Sequence, residues 1–271
     1  MNSFIANEQI IRPTIFIVLL VMLAIAEYCY PLAKRKSSHI RQWSTNITLV
    51  IISSLLLKIS LPMLAVGAAQ WSQSNGVGLI NYFEFLSSDY IALFILLLSI
   101  VLMDFIIYWQ HVLMHKIPLL WSMHQVHHSE AALDVSSAVR FHPFEMLFSM
   151  LVKIASIVLL GIPVIAVILF EIILNAMALF NHSNIKLPKQ AERQLRKLIV
   201  TPEVHWIHHS QIVRETNSNY GFNLIIWDKL FGTYINKPKQ DYQDLQQGLS
   251  QYNNQQPLNI ISLLMLPFRR K

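Results

Sequence analysis

YIALFILLLSIVLMDFIIYWQ, residues 90–110, runs without a break into HVLMH at 111–115. The first stretch supplies the ~20 mostly apolar residues that an α-helix needs to cross a ~30 Å hydrocarbon core. The second places two imidazoles four residues apart, on one face of that helix if it continues. Together they decide the fold class: a membrane-embedded helix delivers the first histidines to one face of the bilayer. Asp104 lies within the last two turns of the apolar run, and an ionisable residue there points to function.

Outward from this stretch the composition agrees. The 271-residue chain is 54% hydrophobic and only 13% charged, whereas soluble domains carry roughly 25% charged residues. Residues 13–32 and 46–67 read as two further spans, the second with Lys58 near its middle, where a charge is costly unless it snorkels or faces protein. The first apolar run is too long for a signal-peptide core and has Lys34, Arg35 and Lys36 behind it, which predicts an uncleaved anchor helix. Residues 145–181 would form a helix of about 55 Å at 1.5 Å per residue, too long for one crossing. Gly161 and Pro163 break the run, so a hairpin of two helical legs is expected, returning the chain to the side it left. The predicted fold is an all-α integral membrane helical bundle of about four transmembrane elements with a cytoplasmic helical cap. Residues 1–89 hold two spans, 90–235 the histidine-bearing domain, and 236–271 a C-terminal tail.

Charge placement orients the bundle. The loop 33–43 contains Lys34, Arg35, Lys36 and Arg41, whereas residues 68–89 contain no Lys or Arg. The positive-inside rule therefore puts the first loop, and with it the histidines, on the cytoplasmic side. Twelve of the 21 basic residues follow His182, in agreement. The net charge of +6 is spread between apolar segments and accompanies no nucleic-acid motif, so a nucleic-acid partner is not expected. One cysteine, Cys29, excludes an intramolecular disulfide and a thiolate metal cluster. Residues 236–257 read as a polar surface loop, and Leu258 to Leu266 as a short interfacial helix.

Eight of the eleven histidines fall in three boxes: His111 and His115 in HVLMH, His124, His127 and His128 in HQVHH, and His205, His208 and His209 in HWIHH. On a helix each box can aim imidazoles at a common spot, while the adjacent HH pair diverges by roughly 100°, so one box can touch two metal ions. Eight imidazoles are too many for one ion, and imidazole suits Fe, Zn, Cu and Ni alike. A lone HxxxH is an ordinary surface or core pattern; three boxes on one side of one membrane are not. Val112 stands where a HExxH protease needs its glutamate, and adjacent histidines have no use in bis-histidine haem ligation, which disfavours both alternatives.

The order HxxxH, HxxHH, HxxHH resembles the fatty acid hydroxylase and sterol desaturase family of membrane di-iron oxygenases. RFHPFE at 140–145, NHSN at 181–184, TPEVHWIHHS at 201–210 and NYGFNLIIWDKLFGTY at 219–234 extend the resemblance over roughly residues 90–235. By that resemblance the eight boxed histidines and His182 are metal ligands for two iron ions, and His142 is a weaker candidate. The implied reaction is O₂-dependent hydroxylation or desaturation of an unactivated C–H bond of a lipid, in lipid metabolism. Electrons would come from an external donor, a ferredoxin or a cytochrome b5-like protein with its reductase, because no flavin site or dinucleotide fingerprint is present. Carboxylates are expected behind the ligands to orient their ring N–H groups. Asp104, Glu145 and Asp228 are the best-placed candidates, ahead of Glu130, Asp134 and Glu203, with Asn181 and Asn184 flanking His182. Trp227 and Phe231 are expected to pack beneath the site. The competing function is a non-enzymatic membrane metal carrier or store, which predicts ligands strung along a path through the membrane.

Overall fold

The computed structural model describes residues 2–34, 39–83, 88–252 and 258–269. Arg35 and Lys36 of the basic loop, residues 84–87 of the loop that lacks basic residues, and 253–257 of the polar tail lie outside them. The described residues are helical, with three isolated β-bridges and no strand. The longer helices are α2 (Glu8–Cys29), which follows the single turn α1 (Asn2–Ala6), α3 (His39–Ser60), α4 (Ala65–Ser74) and α5 (Asp89–Lys116). They continue with α6 (Pro118–His128), α7 (Pro143–Leu160) and α8 (Val164–His182). Short helices α9 (Lys189–Leu195), α10 (Pro202–His208), α11 (Val213–Thr216), α12 (Ile226–Leu230) and α13 (Ile260–Leu264) complete the chain.

Among the described residues five segments are long and apolar enough to cross a membrane: Glu8–Cys29, Ile40–Tyr82, Asp89–Lys116, Pro143–Leu160 and Val164–His182. Their outward faces expose Ile17, Ile25, Phe94, Leu97, Leu151 and Leu159, surface that lipid tails can cover. Local chemistry sets their ends. Ser88 caps α5 by accepting from the Ile91 amide, and α5 closes where Pro118, which cannot continue the hydrogen-bond ladder, opens α6. The helix therefore carries His111 and His115 as an uninterrupted continuation of the span. α2 starts five residues before Pro13, because Glu8 and Arg12 pair at 2.7 Å one turn apart and add a polar turn. The second span likewise starts earlier than expected, at His39, and closes at Ser60, just ahead of Pro62.

The hairpin forms where Gly161 and Pro163 predict it. Gly161 ends α7 in the left-handed conformation (φ 70°), which glycine adopts without the Cβ penalty. This tip packs on the loop before residues 79–83 so closely that a Cβ on Gly78 would lie 2.2 Å from the Gly161 nitrogen. Small residues of α4, Ala65, Ala68 and Ala69, form the main core with Ile157, Val167 and Phe170 of the hairpin. At the opposite end, Glu27 of α2 accepts the Asn184 amide at 2.6 Å and the Val135 amide at 2.7 Å. α2 and α8 thus run in the same direction, and α5, α6, α8 and α10 bring their histidines to this end.

Candidate metal centre

The nine histidines named from the sequence come together as two groups. His111 and His115 of α5, His124 and His128 of α6 and His208 of α10 form one; His127 of α6, His182 of α8, His205 of α10 and His209 form the other. Within each group the ligand atoms lie within 4.8 Å of one another, and every ring but His115 is buried. The adjacent pairs split as helical geometry requires: His127 and His128 face different groups, and so do His208 and His209. In each HxxHH box the residues four apart share a group and the middle one, His127 or His208, turns to the other, so each box reaches both groups as the divergence of adjacent histidines predicts. Residues three apart differ by about 60° around the axis, enough to aim at neighbouring points.

Backbone oxygens fix the rings. The Nδ1 atoms of His111, His208, His127 and His182 donate to the carbonyls of Tyr220 (2.8 Å), Ser218 (2.7 Å), Arg140 (3.2 Å) and Ala178 (2.8 Å). That of His124 donates to Glu145 at 2.6 Å. Carbonyl and carboxylate oxygens only accept, so each of these rings carries a proton on Nδ1, and a ring with no second proton presents a bare Nε2. The Nε2 atoms of His111, His124, His128 and His208, and both ring nitrogens of His115, are buried without a hydrogen-bond partner.

In the four-histidine group, Nε2 of His182 lies 3.0 Å from Nε2 of both His127 and His205, and His209 Nε2 lies 3.2 Å from His205 Nε2. With the Nδ1 protons of His127 and His182 committed elsewhere, two lone pairs meet at hydrogen-bond distance. A cation between them removes that repulsion. Buried orphan nitrogens and opposed lone pairs fit metal ions in both groups, while an all-imidazole donor set does not choose among Fe, Zn, Cu and Ni.

Burial, reinforced by neighbouring imidazoles, pushes His127, His128, His205 and His209 well below the ordinary histidine range. Burial brings His208 down to about 3 against the opposing hydrogen bond to Ser218. These rings stay neutral at physiological pH, which is the ligating form.

Of Asp104, Glu145, Asp228 and Asn181, Glu145 alone hydrogen-bonds a grouped imidazole. Asp228 accepts the Tyr220 and Gly221 amides at 2.8 and 2.7 Å and so holds the strip whose Tyr220 carbonyl orients His111. Burial raises its carboxyl above the usual range, against those hydrogen bonds. Asp104 accepts from the Leu224 amide and the Trp227 indole, and the Asn181 amide group donates to the Phe222 carbonyl. These three residues brace the 220–228 loop.

The remaining candidates have local partners. Glu130 pairs with Arg140, Asp134 caps the turn 135–139, Glu203 pairs with Arg196, and Asn184 ties to the backbone of Ala33. His142 caps α7 by accepting from Phe144 and donates to the Leu264 carbonyl, outside both groups. Trp227 has a polar tether to Asp104, and Phe231 is 40% exposed and stacks on Tyr108. The carbonyls of Tyr220, Ser218, Arg140 and Ala178 escaped sequence reasoning, because any residue type supplies a carbonyl. Arg140 escaped it too: buried, it donates to the Val126 carbonyl, Asn46 and Ser129, holding the end of α6. The RFHPFE motif contained that signal.

A cavity of about 990 Å³ opens beside the groups and is lined by His111, His124, His127 and His205. It continues between the helices past Phe16, Val66, Met146 and Leu174.

A family model described as fatty acid hydroxylase matches residues 96–233. Among curated proteins, an ornithine lipid hydroxylase of Rhizobium tropici is 32% identical over 178 residues, covering 66% of this chain and 51% of that protein. An alkylglycerol monooxygenase of Xenopus tropicalis is 30% identical over 137 residues, 49% of this chain and 28% of its own. A very-long-chain aldehyde decarbonylase of Oryza sativa subsp. indica is 25% identical over 160 residues, 54% and 24% of the two chains. The chain thus spans about half of the first relative and about a quarter of the other two. No solved structure matches it.

Proposed function

The chain belongs to the fatty acid hydroxylase family, and from that premise we propose that it is an iron-dependent membrane oxygenase that uses O₂ to hydroxylate a lipid. One observation carries the reading: two groups of imidazoles, all but His115 buried, gather their ring nitrogens beside a lipid-sized cavity. His111, His115, His124, His128 and His208 would hold one iron ion, and His127, His182, His205 and His209 the other. Iron bound there would supply the O₂-dependent oxidation of an unactivated C–H bond. Desaturation would follow the same hydrogen removal.

The chain's own residues prepare that step. Carbonyls of Tyr220, Ser218, Arg140 and Ala178 fix five-membered rings before metal arrives, and Glu145 does the same for His124 with a charge that offsets part of the cationic centre. Apolar walls exclude bulk water and align a chain against the histidines. A lipid enters from the bilayer between helices, so its tail need not cross water.

Residues 90–235 form the catalytic domain in this reading, residues 1–89 the anchoring spans, and 236–271 a tail. The basic loops favour a cytoplasmic position for the histidines, where a ferredoxin or cytochrome b5-like donor with its reductase would reach them. A metal carrier or store is disfavoured, because the histidines gather at one end of the bundle.

The test is metal analysis of detergent-purified protein followed by incubation of the ferrous form with lipid extract, O₂ and a reductant. Two iron equivalents and a lipid product heavier by one oxygen are expected. Fewer than two metal equivalents under iron-replete conditions, or metal without O₂ consumption, would overturn the reading.

A further inference from the structure

Four charged side chains meet inside the bundle, away from the histidines. Arg12 of α2 pairs with Glu8 at 2.7 Å and with Glu171 of α8 at 2.6 Å, and Lys153 of α7 pairs with Glu171 at 2.8 Å. Glu8, Lys153 and Glu171 are buried. Ionisable residues buried within spans are costly, and where they persist they mark function or pair with one another. Here they pair, yet not completely: the Arg12 Nε is buried without a hydrogen-bond partner, and the Arg12 side chain keeps 29% of its surface exposed.

The quartet sits on the cavity that reaches the histidines. Glu8, Arg12 and Lys153 line it, whereas Glu171 does not. At this end of the cavity two cations and one anion line the wall, while Glu145 lines it at the histidine end. Gln9, Gln110, Ser149 and Asn175 add neutral polar groups to the wall.

On α7, Lys153 is eight residues from Glu145, the partner of His124, or about 12 Å along the axis. On α8, Glu171 is eleven residues from His182, or about 16 Å. The cavity is thus bounded by cationic side chains toward the hairpin tip and by imidazoles at the other end. Arg12 and Glu8 also lie outside the segment that the family model matches, so this end is built partly by the chain's own first span.

We propose that Arg12 and Lys153 form a subsite for the anionic end of the lipid, a carboxylate or a phosphate, which sets how far along the chain the oxidised carbon lies. The proposal rests on the oxygenase reading and names the class of its substrate: an amphiphile with an acidic group, lying with that group toward the hairpin tip and its chain toward the histidines. Arg12 supplies directed N–H donors and Lys153 a point charge, the pair of donors that suits an oxyanion.

The experiment measures binding of palmitic acid, palmitoyl lysophosphatidate and methyl palmitate to the full chain in detergent, with and without iron. The wild type is expected to bind at least one of the two acidic lipids about tenfold more tightly than the neutral ester, and whichever acid binds more tightly identifies the group. Arg12→Gln should erase that preference, a loss of about tenfold or more for the acid. Glu8→Gln removes the anion that competes for Arg12 and should move the preference in the opposite direction, so a poorly folded Arg12 variant does not leave the idea untested. Equal affinity of the wild type for acid and ester, or a preference unchanged in both variants, would overturn the subsite. Acid-selective binding without any oxidation would instead overturn the oxygenase reading and leave the subsite standing, whereas unselective binding with oxidation would do the reverse.

Discussion

The two histidine groups are built from the same residue type, yet they are held differently. In the five-histidine group the Tyr220 and Ser218 carbonyls and the Glu145 carboxylate fix His111, His208 and His124, and the Nε2 atoms of these rings stand without partners. In the four-histidine group the Nε2 atoms of His127, His182, His205 and His209 form a chain of contacts at 3.0–3.2 Å. The first is oriented from the 218–220 loop and α7, whereas in the second the opposed lone pairs of His127 and His182, whose Nδ1 protons are held by the Arg140 and Ala178 carbonyls, are relieved by a cation. An ion in the four-histidine group should therefore contribute more to folding, and an ion in the five-histidine group should answer more to changes in the surrounding loop.

Removing a ligand from either side gives the largest expected effect. His182→Ala and His208→Ala should each abolish lipid oxidation and reduce metal content, read by elemental analysis, from two equivalents to about one. The comparison breaks if both variants keep two.

Acid should separate metal-free from loaded protein. His127, His128, His205, His208 and His209 are held below the ordinary histidine range by burial, so the unfolded chain takes up protons below pH ~6.5 while the folded one resists. Stability is fully present above pH ~6.5 and falls as the pH drops, by up to about 1.4 kcal/mol per histidine per pH unit. Thermal scans from pH 7.5 to 5 should show a steep loss for metal-free protein and a smaller one with metal bound. Equal slopes would mean that the rings do not bind metal as neutral ligands.

Glu145→Gln should weaken metal binding or activity by roughly 10–100-fold, and a titration should show the loss in one of the two ions only. If both ions weaken alike, the groups are not independently held. Asp228→Asn should have the smallest effect, leaving both ions bound while loosening the Tyr220–Gly221 strip by about 1–3 kcal/mol. Its measurement is the melting temperature of the loaded protein.

The fold was largely legible. Spans were read from apolar length, and the hairpin from Gly161 and Pro163, because a bilayer demands long helices and only a few residues break one. Helix starts were less legible: Glu8 and His39 lie outside the apolar runs, and it is the Glu8–Arg12 pair that lengthens α2. Within the site, the eight boxed histidines declared themselves by helical spacing, and His182 by the NHSN motif of the family resemblance. The roles of Asp104, Asp228 and Asn181 did not, since each acts on the 220–228 loop rather than on an imidazole.

By itself, the sequence determined what obeys local rules: which stretches are helical and apolar, which histidines share a turn, and that adjacent ones diverge. Tertiary structure decided what depends on distant partners. The His111 ring is set by a carbonyl 109 residues away and the His124 ring by a carboxylate 21 residues away. Arg12 meets Glu171 only because α2 packs along α8. Periodicity acts over one or two turns, whereas the pairing of groups on separate helices is settled by how those helices pack, and no residue's identity carries that information alone.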